Sequence, residues 1–106
     1  MAKKNKKAEE SPEITPVQII RLIPVFTTKF KEDLGWWSKT DSKKATKILD
    51  LVTAILSDPF TGIGKPEPLK YMDSDSWSRR LDLEHRLIYI VNNEQIVFFT
   101  CRYHYE

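Results

Sequence analysis

Six stretches of patterned hydrophobicity organise the chain. From Val17 to Phe26 the residues are apolar and β-branched, which predicts a first strand; Pro24 inside it cannot donate to a ladder, so an edge position or a bulge follows. From Thr27 or Thr28, residues Phe30, Leu34 and Trp37 recur at helical spacing, predicting a helix that ends near Thr40-Asp41. A second helix, capped by Asp41 or Ser42, carries Ala45, Ile48, Leu49, Val52, Ile55 and Leu56 and stops at Asp58-Pro59. The stretch 59–76 holds three of the six prolines and two of the three glycines, and reads mostly as loop. Three strands follow, Trp77–Leu83, Arg86–Val91 and Gln95–Tyr103, with turns at Leu83-Glu84-His85 and Asn92-Asn93-Glu94. The last strand is apolar on both faces (Ile96, Val97, Phe98, Phe99, Cys101, Tyr103), as expected of a central strand covered on both sides.

The order β-α-α-β-β-β predicts an α+β domain, with two helices in a hairpin packed on one face of a small, mostly antiparallel sheet. Residues 1–16 stand apart from it. The first thirteen are charged and offer no aromatic or β-branched side chain to bury, so a disordered N-terminal extension is expected, followed by a single domain over 17–106. At 106 residues there is room for one modest core.

Composition narrows the function classes. The longest apolar run, Leu87–Val91, is five residues, far short of the roughly 18 of a membrane span, and the polar start lacks the apolar region of a secretory leader. A cytoplasmic protein without membrane contact is expected. The single cysteine, Cys101, excludes an intrachain disulfide and reads as a small buried hydrophobe. With 17 Lys and Arg against 15 Asp and Glu, the net charge of +2 is too small to announce a nucleic-acid binder, so any RNA site must be local. Lys65, Lys70, Arg79, Arg80, Arg86 and Arg102 do gather in the C-terminal half among Tyr71, Trp77, Tyr89 and Tyr103. Such mixing suits single-stranded RNA, although aromatics at alternate strand positions are also what a core requires. Two histidines and one cysteine fall short of a zinc set, and Gly62-Ile63-Gly64 lacks a phosphate-loop fingerprint, so neither metal nor cofactor is expected.

The runs Gly64-Lys65-Pro66-Glu67-Pro68-Leu69-Lys70, Trp77-Ser78-Arg79-Arg80, Glu84-His85-Arg86-Leu87 and Cys101-Arg102-Tyr103-His104-Tyr105 resemble, in this order and spacing, the YoeB/Txe group of RelE-superfamily toxins. The chain departs from that pattern in its N-terminal extension and in Glu106, which follows the tyrosine that usually closes the family's chain. The resemblance implies the RelE-like microbial-ribonuclease fold and a ribosome-dependent endoribonuclease that cleaves mRNA in the A site. It also implies a cognate YefM-like antitoxin, the ribosome and mRNA as partners, a possible homodimer, and operator DNA bound only with the antitoxin. A catalytically silent RNA- or antitoxin-binding module of the same fold is the alternative, since fold does not fix activity.

Metal-free RNA cleavage by the adjacent 2′-OH needs a base, a cation for the phosphorane and an acid for the leaving 5′-oxygen. Glu67, stiffened between two prolines, Arg86 with its planar fork, and His104, which titrates near neutrality, are residue types that fit. Each also has a plain structural reading: Glu67 a solvated loop residue, Arg86 an ion pair to Glu84 or Asp82, His104 a hydrogen bonder. The resemblance assigns Glu67 as general base, Arg86 as phosphate stabiliser, His104 as general acid and Tyr105 as orienter. Lys70 and Arg80 are plausible clamps on the RNA backbone, and His85, in a turn, is expected to be structural.

Overall fold

The structure, a computed structural model, describes residues 22–70 and 75–104, the last of these by its backbone alone. The expectations for residues 1–21, including the disordered extension and the start of the first strand, and those for Tyr71, Tyr105 and Glu106 lie outside the described residues. Strand β1 (Ile23–Phe26) leads into helix α1 (Thr28–Thr40) and helix α2 (Ser42–Ser57); β2 (Glu67–Pro68), β3 (Ser76–Arg80), β4 (His85–Val91) and β5 (Gln95–His104) follow. The sheet order is β1-β5-β4-β3-β2, parallel only between β1 and β5. The α+β class holds, and the structure adds the two-residue strand β2 inside the predicted loop. Pro24 indeed lies on an edge strand, where its missing N–H costs no ladder bond.

Both helix starts are capped as their sequences require. Thr27 Oγ1 accepts from Phe30 N at 3.0 Å and itself donates to Phe99 O at 2.7 Å, so the cap of α1 is tied to β5. Asp41 caps α2 through Lys43 N at 3.2 Å, while its own N–H closes α1 on Trp37 O at 2.7 Å. A single residue therefore joins the helices. The buried stripe of α2 is Ile48, Leu51, Val52 and Ile55. Leu49 and Leu56, expected on that stripe, are turned out to 53% and 40% exposure, and Leu51 takes the place inside. The spacing i, i+3, i+4, i+7 accounts for this, because Leu49 and Leu56 each sit one residue, about 100°, round the helix from it.

Phe30 and Trp37 of α1 join this stripe against Leu81, Leu87, Tyr89, Ile96, Phe98 and Cys101 to form the core on the inner face of the sheet. Strand β5 is central, but the expectation that both its faces are covered is corrected: Phe99 is 40% exposed. Two bulges in the β4–β5 pairing also break its simple alternation, since Tyr89 faces Phe98, Ile88 faces Thr100 and Arg86 faces Tyr103. The buried carboxylate of Asp33 on α1 secures this bulged stretch. It accepts from Thr100 Oγ1 at 2.5 Å, from Cys101 N at 3.2 Å and from Lys29 Nζ at 2.7 Å, while Trp37 Nε1 donates to Cys101 O at 2.9 Å.

A second buried charge organises the long loop. Arg79 is fully buried and its guanidinium donates to Asp58 O at 2.7 Å, Thr61 O at 2.9 Å, Ile63 O at 3.0 Å and Tyr89 Oη at 3.2 Å. Tyr89 Oη in turn donates to Pro59 O at 2.6 Å. The loop is thus wrapped round a cation by its own carbonyls, which corrects the placement of Arg79 in a surface basic cluster. Strand parity accounts for it: Arg79 points inward, Ser78 and Arg80 outward. The same wrapping explains Gly62-Ile63-Gly64. Gly62 (φ 123°) and Gly64 (φ 84°) have left-handed backbones, and a Cβ on Gly64 would stand 3.1 Å from Arg79 Cβ and 2.9 Å from Leu51 Cδ2.

Gly64→Ala should therefore destabilise the fold by about 1–3 kcal/mol, the usual range for a non-glycine residue held in such a backbone. Urea unfolding would measure it, with an unchanged midpoint contradicting the account.

Candidate active site

The loop leaves Arg79 through Gly64 O, which accepts from Arg80 N at 2.6 Å, and Lys65, whose φ of 52° turns the chain. Pro66 and Pro68 then hold Glu67 in β2, opposite Ser78 of β3. In a sheet, residues paired across strands share a face, as do residues two apart along one strand. Glu67, Ser78, Arg80, Arg86 and Ile88 accordingly lie together on the outer face, away from the helices.

Arg86 Nη1 donates to Glu67 Oε1 at 3.1 Å and to Ser78 Oγ at 3.2 Å. The carboxylate is 47% exposed and the guanidinium 13%, so a reacting molecule can reach Glu67 while Arg86 is held from behind. Among the described residues Arg86 is thus ion-paired with Glu67, and the expected bridge to Glu84 or Asp82 is replaced by it. Arg80 stands directly across from Arg86 on β3. Two arginines opposite each other repel unless an anion lies between or beside them. Moreover, among the described residues, Arg80 Nε is enclosed and has no hydrogen-bond partner. Lys70 is exposed in the turn after β2. On β5, Tyr103 faces Arg86, and the backbone of His104 faces His85. Tyr105 lies outside the described residues. Arg102 is elsewhere, its guanidinium 3.7 Å over the Trp36 ring.

His85 begins β4 instead of closing a turn, and it is structural as expected. Its ring is buried, edge-on to Trp37 at 4.9 Å, with Nδ1 3.1 Å from Asp82 Oδ1. Asp82 also accepts from Glu84 N at 2.8 Å, His85 N at 2.6 Å and Lys44 Nζ at 3.3 Å. Burial works against the Asp82 carboxylate, but these donors outweigh it and hold the carboxyl down at about 2. Burial, with the Asp33 charge beside it, pushes the Cys101 thiol up to about 12, which makes it inert at neutral pH.

Sequence reasoning passed over Ser78, Asp33 and Asp82. For Ser78 a signal existed: in Trp77-Ser78-Arg79-Arg80 the period of two puts the serine on the face of Arg80. Asp33 gave none, because a lone aspartate on a helix is usually solvated. Among the described residues no group of three or more His, Cys, Asp or Glu is gathered to hold a metal ion. A surface groove of about 470 Å³, lined by Leu22, Phe60, Asp75, Val91, Asn92 and Asn93, opens at the other end of β3 and β4 from Arg80 and Arg86.

The fold is that of the small RelE-like toxins. The fold alone is shared with YafQ of the Escherichia coli DinJ-YafQ complex (TM-score 0.67, 16% identity, over 78% of this chain and 92% of that one). The chain belongs to the YoeB-like toxins of bacterial type II toxin-antitoxin systems, whose family model matches residues 26–105. Toxin YoeB of Synechocystis is 44% identical over 76% of this chain and 94% of its own length; Toxin YoeB of Streptomyces coelicolor is 46% identical over 76% and 95%. Among solved structures, the YoeB dimer of Staphylococcus aureus superposes with a TM-score of 0.73 at 38% identity, covering 80% of this chain and 99% of that one.

The depressed Asp82 carboxyl has a pH signature. Its ionised form is favoured by folding, so its contribution is complete above the ordinary value of 3.8 and is lost as pH falls toward 2. Asp82→Asn should flatten the acid limb of the stability curve between about pH 4 and pH 2, as followed by thermal unfolding. An equally steep limb in the variant would show that other carboxylates set it.

Proposed function

We propose that this toxin is an endoribonuclease that cleaves mRNA in the ribosomal A site and so inhibits translation. The observation that carries the reading is the reachable Glu67 carboxylate hydrogen-bonded to Arg86. A carboxylate alone would repel a phosphodiester; paired with a guanidinium it can sit against one and still take a proton.

In this mechanism Glu67 removes the proton of a ribose 2′-OH, and the 2′-oxygen attacks the adjacent phosphorus. Arg86 stabilises the charge that builds on the non-bridging oxygens, its fork already fixed by Ser78, so little reorganisation accompanies the step. The P–O5′ bond breaks and His104 protonates the departing 5′-oxygen, leaving a 2′,3′-cyclic phosphate and a 5′-hydroxyl. Tyr105 orients the substrate, and Lys70 and Arg80 hold the flanking backbone. The reading of His104 as acid rests on the family resemblance; β5 brings its backbone opposite His85, one position along from the Arg86–Tyr103 pair.

The same kinship supports the partners. One solved structure of the S. aureus relative is a heterotetrameric YoeB-YefM complex and another is a YoeB dimer. This chain would likewise be silenced by a cognate YefM-like antitoxin, form dimers, and act on operator DNA only with that antitoxin. No helix among the described residues is long and apolar enough to cross a membrane, and a ribosomal target is cytoplasmic. The family match begins at residue 26, in keeping with an N-terminal extension over residues 1–16 that stands apart from the toxin domain.

The test is mRNA cleavage on programmed ribosomes. His104→Gln keeps a hydrogen-bonding side chain but removes the titrating acid, and should slow cleavage by roughly 10² to 10⁴. Glu67→Gln and Arg86→Ala should each be comparably impaired. Pairs of these substitutions should cost far less than the product of the single losses, because the residues act in one step. Ribosome binding should survive in all three. Full cleavage by folded Glu67→Gln and His104→Gln proteins would refute the enzymatic reading in favour of a silent binding module.

A further inference from the structure

We infer that Arg79 is a positioning residue for Glu67: the buried guanidinium presets the loop that aims the carboxylate at Arg86. The inference rests on the reading of Glu67 as the general base. Arg79 touches no substrate, being wholly buried on the inner side of β3. What it holds is the path into the site. Its fork binds the carbonyls of Asp58, Thr61 and Ile63, and Tyr89, which receives its Nε–H, fixes Pro59. From Ile63 only Gly64, Lys65 and Pro66 intervene before Glu67. Gly64 is seated against Arg79 Cβ and hydrogen-bonded to Arg80 N, Lys65 has a fixed left-handed turn, and Pro66 is rigid.

The chemistry explains why an arginine is used. Three carbonyls converging from separate points of one loop need donors in a planar fan, and a guanidinium supplies five N–H groups in such a fan. A lysine could satisfy at most three acceptors and would not fix their directions. The loop has little else to hold it. Asp58 caps its first turn through Phe60 N and Thr61 Oγ1, and Phe60 leans on Trp77, but Thr61, Gly62 and Ile63 are exposed. Ordering by Arg79 therefore falls on an exposed segment with few other contacts to hold it. Two adjacent arginines of β3 are divided by strand parity, Arg79 ordering the base from the inner face and Arg80 lying on the outer face across from Arg86.

The experiment compares Arg79→Lys and Tyr89→Phe in the full chain. Single-turnover mRNA cleavage is measured on programmed ribosomes across a range of toxin concentrations, with thermal unfolding in parallel. Displacing a catalytic group by about 1 Å can cost about 10²-fold. Arg79→Lys should therefore lower the maximal rate by up to roughly 10²-fold and Tyr89→Phe by about tenfold, the half-saturating concentration staying constant in both. In a Glu67→Gln background neither substitution should slow cleavage further, because the base they aim is already gone. Maximal rates equal to those of the unsubstituted protein in the folded variants, whatever their melting temperatures, would make Arg79 merely structural and overturn the inference. So would an equal loss in the Glu67→Gln background. If Arg79→Lys does not fold, Tyr89→Phe decides alone, since it removes both the acceptor of the Arg79 Nε–H and the donor to Pro59 O and so loosens the anchored loop without stranding the charge. Full cleavage by Glu67→Gln would bring down the reading of Glu67 as base, and this inference with it. Slow cleavage by Glu67→Gln beside fast cleavage by Tyr89→Phe would bring down this inference only.

Discussion

The arrangement depends first on one buried cation. A guanidinium taken out of water is costly unless its N–H groups are answered, and Arg79 finds its answers in three backbone carbonyls and a phenol. Those carbonyls belong to a loop with no ladder of its own. The loop and the arginine therefore satisfy each other: without Arg79 the carbonyls would be left to water, and without the loop the charge would be stranded in the core. Tyr89, 5.9 Å from the guanidinium by its ring centroid, closes the arrangement. Its hydroxyl is kept protonated by burial, against the pull of the arginine, and so remains a donor to Pro59 O.

The strand that ends at His104 is governed by a second buried charge of opposite sign. A bulged strand exposes backbone groups that its neighbour cannot match, and Asp33 reaches from α1 to accept from the Cys101 N–H and from the Thr100 hydroxyl beside it. The indole of Trp37 does the same for the Cys101 carbonyl. Helix α1 thus packs as a hydrophobic element and also sets the course of β5. Glu67 and the end of β5 come from opposite sides of the sheet, yet each is fixed by a polar contact within the interior. Rigid supports of this kind suit the proposed chemistry, in which a base, a cation and an acid are placed around one phosphate.

The outer face is the less settled side in energetic terms. Arg80 and Arg86 face each other across β3 and β4, and one enclosed donor has no acceptor. Packing alone gives no reason to retain such a pair. The Glu67 carboxylate beside Arg86 offsets part of the repulsion between them, so the pair is tolerated on the sheet surface.

Helices α1 and α2 were legible in the sequence almost to the residue, because caps at Thr27 and Asp41 and the stop at Asp58-Pro59 are local chemistry. The three C-terminal strands were legible too, from short apolar runs bounded by turn residues, although the first was expected to reach Leu83 and ends at Arg80. The family, too, could be read from four short motifs. What sequence could not settle was everything decided between distant segments. The period of α2 left a choice of face, and contact with the sheet buried Leu51 while leaving Leu49 outside. Strand β2 was invisible because two residues between prolines have no pattern; only pairing with Ser78 makes them a strand. Arg79 and Arg80 are identical letters side by side, and their opposite fates follow from which face of β3 meets the core. Glu67 and Arg86, nineteen positions apart, became partners only because β2, β3 and β4 lie side by side in register. Local rules fix what a segment is, whereas burial and pairing fix what it meets.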